Sequence, residues 1–328
     1  MAIKVGILRG GPSNEHEVSL KTGENVIKYL PQKYSVYDII LGKSGNWFFN
    51  KKISLPDKIL RSIDVVFNAL HGEFGEDGKV QQILETFGVP YTGSGILSSA
   101  LGMNKIFSSA IFAKVGLKIP EGIIIDKEKS LLETAKDIFK LKSPPWVVKP
   151  ISCGSSVGVC VADTFDDLVR GIKDAFLYSN RIIIEEYIKG REMTCGVIDS
   201  FRGERYYALP VTEIILPPFC KFFDYNAKYK YETQEICPAN IDLNIKKSIE
   251  EMAKTAHRSL GCRDYSRSDF MVAYKKRKPE IYILEINTLP GLTPASLLPK
   301  ALSAVGSTYT EFLDHIIGLA LNRKNNKK

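Results

Sequence analysis

Asp269, Glu285 and Asn287 stand in two late runs, Arg267-Ser-Asp-Phe-Met-Val272 and Ile281-Tyr-Ile-Leu-Glu-Ile-Asn287, whose β-branched and aromatic content predicts strands. Residues two apart on a strand point to one side, so Glu285 and Asn287 share a face, and an adjacent strand could bring Asp269 beside them. Two carboxylates and an amide oxygen suit Mg²⁺ or Mn²⁺ held against the phosphates of a nucleotide rather than in an all-protein cage. The plainer alternative is an acidic residue at each of two strand ends with a turn-forming Asn after one, because Thr288-Leu-Pro-Gly291 does start a turn.

A second group of residues points to phosphate. Lys149-Pro-Ile-Ser-Cys-Gly-Ser-Ser-Val-Gly158 is a Gly/Ser loop joining two strand-like runs. Such a turn can lay backbone N–H groups around phosphate oxygens, and the lysine entering it can neutralise their charge. It is not a P-loop, since G-x-x-x-x-G-K-[ST] is absent and a strand follows. Alone it reads more simply as a hairpin. Lys105 and Arg181-Ile-Ile-Ile-Glu-Glu-Tyr187-Ile188 in the same region shift the balance. Two lysines and the loop could grip a polyphosphate while a strand ending in Glu185 and Tyr187 faces an adenine. A third group, His71-Gly-Glu-Phe-Gly-Glu-Asp-Gly78 and Pro90-Tyr-Thr-Gly-Ser-Gly95, marks glycine-dense loops after a strand, where open α/β sheets bind ligands. Glu15, in the loop after the first strand, would share that edge and could meet a substrate ammonium, with capping of the next helix as the alternative role.

These residues need a scaffold, and the chain's alternating signals supply one. Ile3–Leu8, Tyr34–Leu41 and Asp64–Ala69 read as strands, with helical spacing from Glu17 to Leu30 and from Lys79 to Phe87, the βαβ grammar of a parallel sheet. A second region holds a helix to about Val115, then strands at Gly122–Ile125, Pro145–Lys149, Val157–Val161 and Arg181–Tyr187. A strand-rich third region follows, with a long polar and aromatic stretch from Pro217 to Thr233. A helix from Asp242 to Leu260 precedes the two late strands, and helices at Pro294–Leu302 and Thr310–Leu321 close the chain. Domains are expected at 1–101, 102–189 and 190–328. The formal net charge is +8, but the basic residues are spread out, apart from a solvated tail at Arg323–Lys328, so nucleic acid is not an expected partner. No CxxC pair occurs among the six cysteines, nothing at the N-terminus resembles a signal peptide, and no long apolar run predicts a membrane span. A reduced cytoplasmic setting is expected.

In order along the chain, Gly10-Gly-Pro-Ser-Asn-Glu-His-Glu-Val-Ser-Leu20, the His71–Gly78 loop, Tyr91-Thr-Gly-Ser-Gly95, Met103-Asn-Lys105, Val147-Val-Lys-Pro150, Gly154-Ser-Ser-Val-Gly158, Asp224-Tyr-Asn-Ala-Lys-Tyr229, Cys237-Pro-Ala239, Arg267-Ser-Asp269 and Glu285-Ile-Asn-Thr-Leu-Pro-Gly-Leu-Thr293 resemble the D-alanine:D-alanine ligases of the ATP-grasp superfamily. The resemblance covers almost the whole chain. It implies an α/β protein with α+β elements, the ATP-grasp fold, in which an N-terminal parallel α/β domain joins two α+β domains that clamp the nucleotide. It also implies ATP and two Mg²⁺ or Mn²⁺ as cofactors, with a monovalent cation such as K⁺ left open, two molecules of D-alanine as substrates, and a homodimer.

By the same resemblance, Lys105 and Lys149 hold the α- and β-phosphates, the Ser155 loop covers them, and Glu185, Tyr187, Ile188 and Glu192 line the adenine and ribose site. Asp269, Glu285 and Asn287 carry the metal ions. Glu15 takes the ammonium of the first D-alanine and His71 lies near its carboxylate. Ser155 and Tyr229 form a hydrogen-bonded pair linked to Glu15, and Lys228 reaches the γ-phosphate. Arg267 and the N–H of Gly291 donate to the tetrahedral oxyanion, and Ser296 and Leu297 clamp the second carboxylate. The stretch from Pro217 to Thr233 matches a lid loop that would shield an acyl phosphate from water. Tyr229 implies a dipeptide former rather than a D-alanine:D-lactate ligase.

Some positions depart from the family pattern. Gln82 stands where a glycine is common, Asp264 replaces a common glycine before Tyr265, Ala295 sits where some members carry histidine, and Cys153 in the phosphate loop suggests thiol sensitivity. The rivals are an ATP-grasp ligase for D-lactate or other D-amino acids and a catalytically dead nucleotide-binding module. The second would be expected to lose a metal ligand or phosphate lysine, and Lys105, Lys149, Arg267, Asp269, Glu285 and Asn287 are all present.

Overall fold

A computed structural model describes residues 2–127, 130–152, 154, 157–217, 233–276 and 278–325. Its first sheet contains β1 (Ile3–Gly10), β2 (Tyr34–Leu41), β3 (Trp47–Phe49), β4 (Lys52–Ile53) and β5 (Val65–Asn68), in the order β4-β3-β2-β1-β5. Strand β1 runs parallel to both neighbours, as its apolar run predicts. Strands β3 and β4 return antiparallel, an edge hairpin that the sequence reading passed over. Helices α1 (His16–Tyr29), α2 (Pro56–Leu60), α3 (Lys79–Thr86) and α4 (Ile96–Met103) accompany this sheet. Alternation along β1 splits its burial: Leu8 packs with Ile59, Leu60, Val80 and Leu84 from α2 and α3, whereas Val5 and Ile7 join a cluster with Val26 of α1.

The second sheet is antiparallel throughout. Helix α5 (Lys105–Lys114) leads to β6 (Gly122–Asp126), α6 (Leu131–Leu141), β7 (Trp146–Pro150), β8 (Cys160–Ala162), α7 (Phe165–Ala175) and β9 (Arg181–Glu186), with strand order β6-β9-β7-β8. Strand β8 starts three residues later than the expected Val157, because Val157 N–H donates to Gly154 O at 3.1 Å and closes a turn instead. Helices α6 and α7 cover one face, burying Ala135, Ile138, Leu168 and Ile172 against Trp146, Val148, Ile182 and Ile184. A capping box between Thr164 and Asp167 starts α7.

The third sheet holds β10 (Arg191–Phe201), β11 (Glu204–Ala208), β12 (Thr212–Ile215) and β13 (Gln234–Ile236), then, after α8 (Leu243–Ser259), β14 (Tyr265–Lys275) and β15 (Lys278–Asn287). Its order is β13-β12-β10-β14-β15, with β11 paired to β10. Asp242 caps α8 by accepting from Asn244 N–H at 2.8 Å. The chain ends in α9 (Leu297–Ala304) and α10 (Tyr309–Asn325). Phe312, Ile316 and Ile317 of α10 are fully buried with Val5, Ile7 and Phe67, so the last helix seals the first sheet. Among the described residues no single helix is long and apolar enough to cross a membrane, and Cys160, Cys195, Cys237 and Cys262 are free thiols.

Asp264, a departure from the family pattern, has a physical account. Its φ of 64° lies in the left-handed region, which is why glycine suits the position. Here an aspartate occupies it, and its buried carboxylate accepts from Gly93 N–H at 2.7 Å and from the Arg323 guanidinium of α10. The side chain thus ties the last helix to the glycine loop before α4. Asp264→Ala keeps the unfavourable backbone and removes the tie, and should cost about 3 kcal/mol of unfolding free energy. Asp264→Gly should recover about 1 kcal/mol of that loss. Denaturant unfolding of the two variants checks both values, and an alanine variant as stable as the parent would refute the account.

Candidate active site

Asn104 positions the first lysine. Its side chain accepts from Ile106 and Phe107 N–H, which ends α4 and restarts the chain as α5 at a 99° bend. Lys105 becomes the first residue of α5, with its N–H donating to Ile151 O at 3.0 Å. The sequence reading starts its helix near Gly102 and has none at Ile96–Met103, and the break at Asn104 is what aims Lys105. Lys149 comes from β7, where Val147 faces Glu185 of β9, and its Nζ lies 2.6 Å from Glu185 Oε2. Burial favours the neutral amine of Lys149, but the charge and hydrogen bond of Glu185 outweigh that and raise its pKa. Both lysines line a cavity of about 380 Å³ with Glu185, Tyr187, Ile188, Glu192, Asp269 and Glu285. Val147, Val161, Ile214 and Met271 give it apolar walls. An apolar slot opening onto paired lysines and carboxylates is the chemistry of a site for a base attached to a polyphosphate.

The two late strands are neighbours. In their register Asp269 faces Glu285 and Arg267 faces Asn287, with an irregularity between Asp269 and Phe270. Like charges directly opposite each other repel, so both carboxylates need partners. Asp269 accepts from Arg267 Nε at 2.9 Å and Nη2 at 2.8 Å, and from Thr194 Oγ1 at 2.6 Å. Glu285 Oε2 lies 3.3 Å from Lys105 Nζ. Thr194 of β10 faces Asp269 across the sheet, a long-range contact that no local pattern reveals. Among the described residues no three His, Cys, Asp or Glu side chains form a metal cluster. Two carboxylates and an amide nevertheless fit a hard divalent ion that takes its other oxygens from phosphate and water.

A second cavity, about 160 Å³, opens on the far side of this seam and is lined by Glu15, His71, Glu76, Gly154, Arg267, Asn287, Gly291, Ser296 and Leu297. Glu15 precedes α1 but makes no side-chain capping bond, so the capping alternative does not describe it. A Cβ at Gly72 or Gly154 would come within 2.8 or 2.9 Å of Glu15 Oε2, and glycine at both positions leaves that carboxylate its space. His71 is buried, with Nε2 2.8 Å from Thr22 Oγ1 and Nδ1 3.8 Å from Glu76 Oε1. Burial pulls the His71 pKa down, yet Glu76 and then Glu15 more than offset this and raise it above the ordinary 6.5. Burial also pushes the Glu76 carboxyl up. Glu76 had no role in the sequence reading, although a charged residue within a buried glycine loop was the available signal. Ser296 begins α9, and its Oγ accepts from Thr293 N–H at 3.1 Å and lies 2.8 Å from Thr293 Oγ1. Ser155, Lys228 and Tyr229, Cys153, and the lid stretch from 218 to 232 lie outside the described residues.

The family model described as D-ala D-ala ligase C-terminus matches residues 111–318, and the one described as D-ala D-ala ligase N-terminus matches 4–59 and 51–94. The chain belongs to the D-alanine:D-alanine ligase family. A protein of Syntrophobacter fumaroxidans named D-alanine--D-alanine ligase is 39% identical over 322 residues, spanning 97% of this chain and 98% of that one. The D-alanine--D-alanine ligase of Bacillus anthracis, solved in complex with ATP, matches with a TM-score of 0.81 at 34% identity over 100% of both chains. VanG D-Ala:D-Ser ligase from Enterococcus faecalis matches with a TM-score of 0.82 at 30% identity, over 98% of this chain and 100% of that one. The fold shared with this family is the ATP-grasp fold.

The histidine pair generates a testable expectation. A raised folded pKa means that the charged imidazole's contribution is fully present below 6.5 and is lost as pH rises through the higher folded value. An NMR titration of His71 should therefore give a midpoint above 6.5. Glu76→Gln should lower that midpoint, since burial would then dominate. A midpoint below 6.5 in the parent would contradict the assignment.

Proposed function

We propose that this chain joins two molecules of D-alanine into D-alanyl-D-alanine with ATP, releasing ADP and phosphate, as an early step of peptidoglycan precursor synthesis. The observation that carries the reading is the seam between the two cavities, where Arg267, Asp269, Glu285 and Asn287 stand within reach of the lysine-lined cavity and of the small one. In the proposed reaction the carboxylate of the first D-alanine attacks the γ-phosphate to give an acyl phosphate, and the amine of the second displaces phosphate. Proximity and electrostatics supply most of the catalysis.

Lys105 and Lys149 would neutralise the α- and β-phosphates beneath the Ser155 loop, and the apolar walls beside Glu185, Tyr187, Ile188 and Glu192 would take adenine and ribose. Asp269, Glu285 and Asn287 would hold two divalent ions, which offset negative charge on the phosphates when bound. Glu15 would attract the ammonium of the first D-alanine, with His71 near its carboxylate. Arg267 and Gly291 N–H would donate to the oxyanion, and Ser296 and Leu297 at the start of α9 would take the second carboxylate. Lys228 is assigned to the γ-phosphate, and Tyr229 with Ser155 to orienting Glu15. The reading also includes domains at 1–101, 102–189 and 190–328, a homodimer and a cytoplasmic setting.

Phosphate release from ATP should depend on D-alanine and not on L-alanine. Glu285→Gln should lower the rate by about 10²–10³-fold, the scale for removing one preorganised electrostatic group, while leaving the circular dichroism spectrum unchanged. Near-normal turnover of that variant would refute the proposal.

A further inference from the structure

We infer that Glu235, to which the sequence reading gave no role, makes the small cavity select an ammonium-bearing acceptor over a hydroxy acid of the same shape, an inference that rests on the ligase reading above. Glu235 lies on β13, paired with Ile214 of β12, and its side chain, 15% exposed, lines the small cavity with Arg267, Ser296 and Leu297. Its Oε2 is 2.5 Å from Lys300 Nζ. Lys300 sits one turn beyond Ser296 on α9, its N–H donating to Ser296 O at 3.3 Å. Its side chain is 42% exposed and does not line the cavity. The ion pair is therefore oriented: the ammonium faces solvent and the carboxylate faces the cavity.

That end of the cavity offers two complementary features close together. The first turn of α9 presents backbone N–H groups suited to a carboxylate, and Ser296 makes no side-chain bond to them. Glu235 adds negative charge to the lining of the same cavity. A zwitterionic amino acid can satisfy both, carboxylate to the helix and ammonium to Glu235. A hydroxy acid brings the carboxylate but no ammonium, and so gains no attraction from the Glu235 charge. Among the described residues at that end of the cavity, no neighbour supplies this selectivity: Ala295 has no polar atom in its side chain, the Thr293 hydroxyl is bonded to Ser296, and Arg267 donates to Asp269 through Nε and Nη2. The other acids lining the cavity, Glu15 and Glu76, are grouped with His71 and Gly154.

The test is product competition. The parent, Glu235→Gln and Lys300→Met are each given ATP with equal D-alanine and D-lactate, and dipeptide and depsipeptide are quantified by mass spectrometry. Glu235→Gln should raise the depsipeptide-to-dipeptide ratio about tenfold and raise KM for the second D-alanine, with KM for ATP unchanged. Lys300→Met removes the compensating positive charge and should leave the ratio unchanged or lower it. A ratio unchanged in Glu235→Gln overturns the inference. So does an equal rise in both variants, since that would make the pair a mere tether between β13 and α9. Absence of dipeptide in the parent with D-alanine alone would overturn the ligase reading as well, and so separates the two failures.

Discussion

Two carboxylates, Asp269 buried and Glu285 half-buried, facing each other across paired strands are the arrangement on which the rest of this structure depends. Asp269 and Glu285 would repel if left alone, and a one-residue slip between β14 and β15 would put them on opposite faces of the sheet. The fold fixes the register and answers the charge from three directions. Arg267 reaches along the same strand, Thr194 reaches from β10, and Lys105 arrives from α5. Lys149 stands close by, held charged by Glu185. The result is a dense set of alternating charges at the meeting of two cavities. Such a set costs much to desolvate and is a weak source of stability by itself. It is well suited to meeting an anionic ligand that brings its own cations.

The scaffold explains how such a site can be held firm. Two clusters of buried side chains sit behind the charged seam: Trp146 and Val148 behind Lys149, and Phe270 and Ile283 behind Asp269. Phe312 and Ile316 of the last helix close the sheet whose strand ends carry Glu15 and His71. Gly72 and Gly154 act by what they lack, since a methyl group at either would crowd the Glu15 carboxylate. Asp264 ties the same last helix to the loop around Gly93. Distant parts of the chain therefore share responsibility for a small volume.

What the sequence disclosed follows from which interactions are local. The alternation in β14 and β15 showed that Glu285 and Asn287 share a face, and the parallel core of β1, β2 and β5 was visible in its apolar runs. The glycine loops at the strand ends were legible for the same reason. Thr194 escaped notice because its partner is 75 residues away and threonine is ordinary in a strand. Glu235 escaped because its carboxylate gains meaning only beside Lys300, on another element. Helix α4 went unread, and with it the bend at Asn104, because it is a short apolar run with glycines at 95 and 102. The β3–β4 hairpin was too short to show a period. Glu15 was ambiguous because a helix-capping acid and a site acid occupy the same kind of position, and only the absent capping bond separates them.

The central claim is that the Asp269 and Glu285 pair, with the two lysines, forms one site for a divalent cation and a polyphosphate together. Electron paramagnetic resonance of Mn²⁺ titrated into the protein with and without a non-hydrolysable ATP analogue tests this most directly. The account predicts tight Mn²⁺ binding that requires the nucleotide, shows coupling to phosphorus, and is lost in Asp269→Asn. Mn²⁺ bound equally well without nucleotide, or undisturbed by Asp269→Asn, would contradict it.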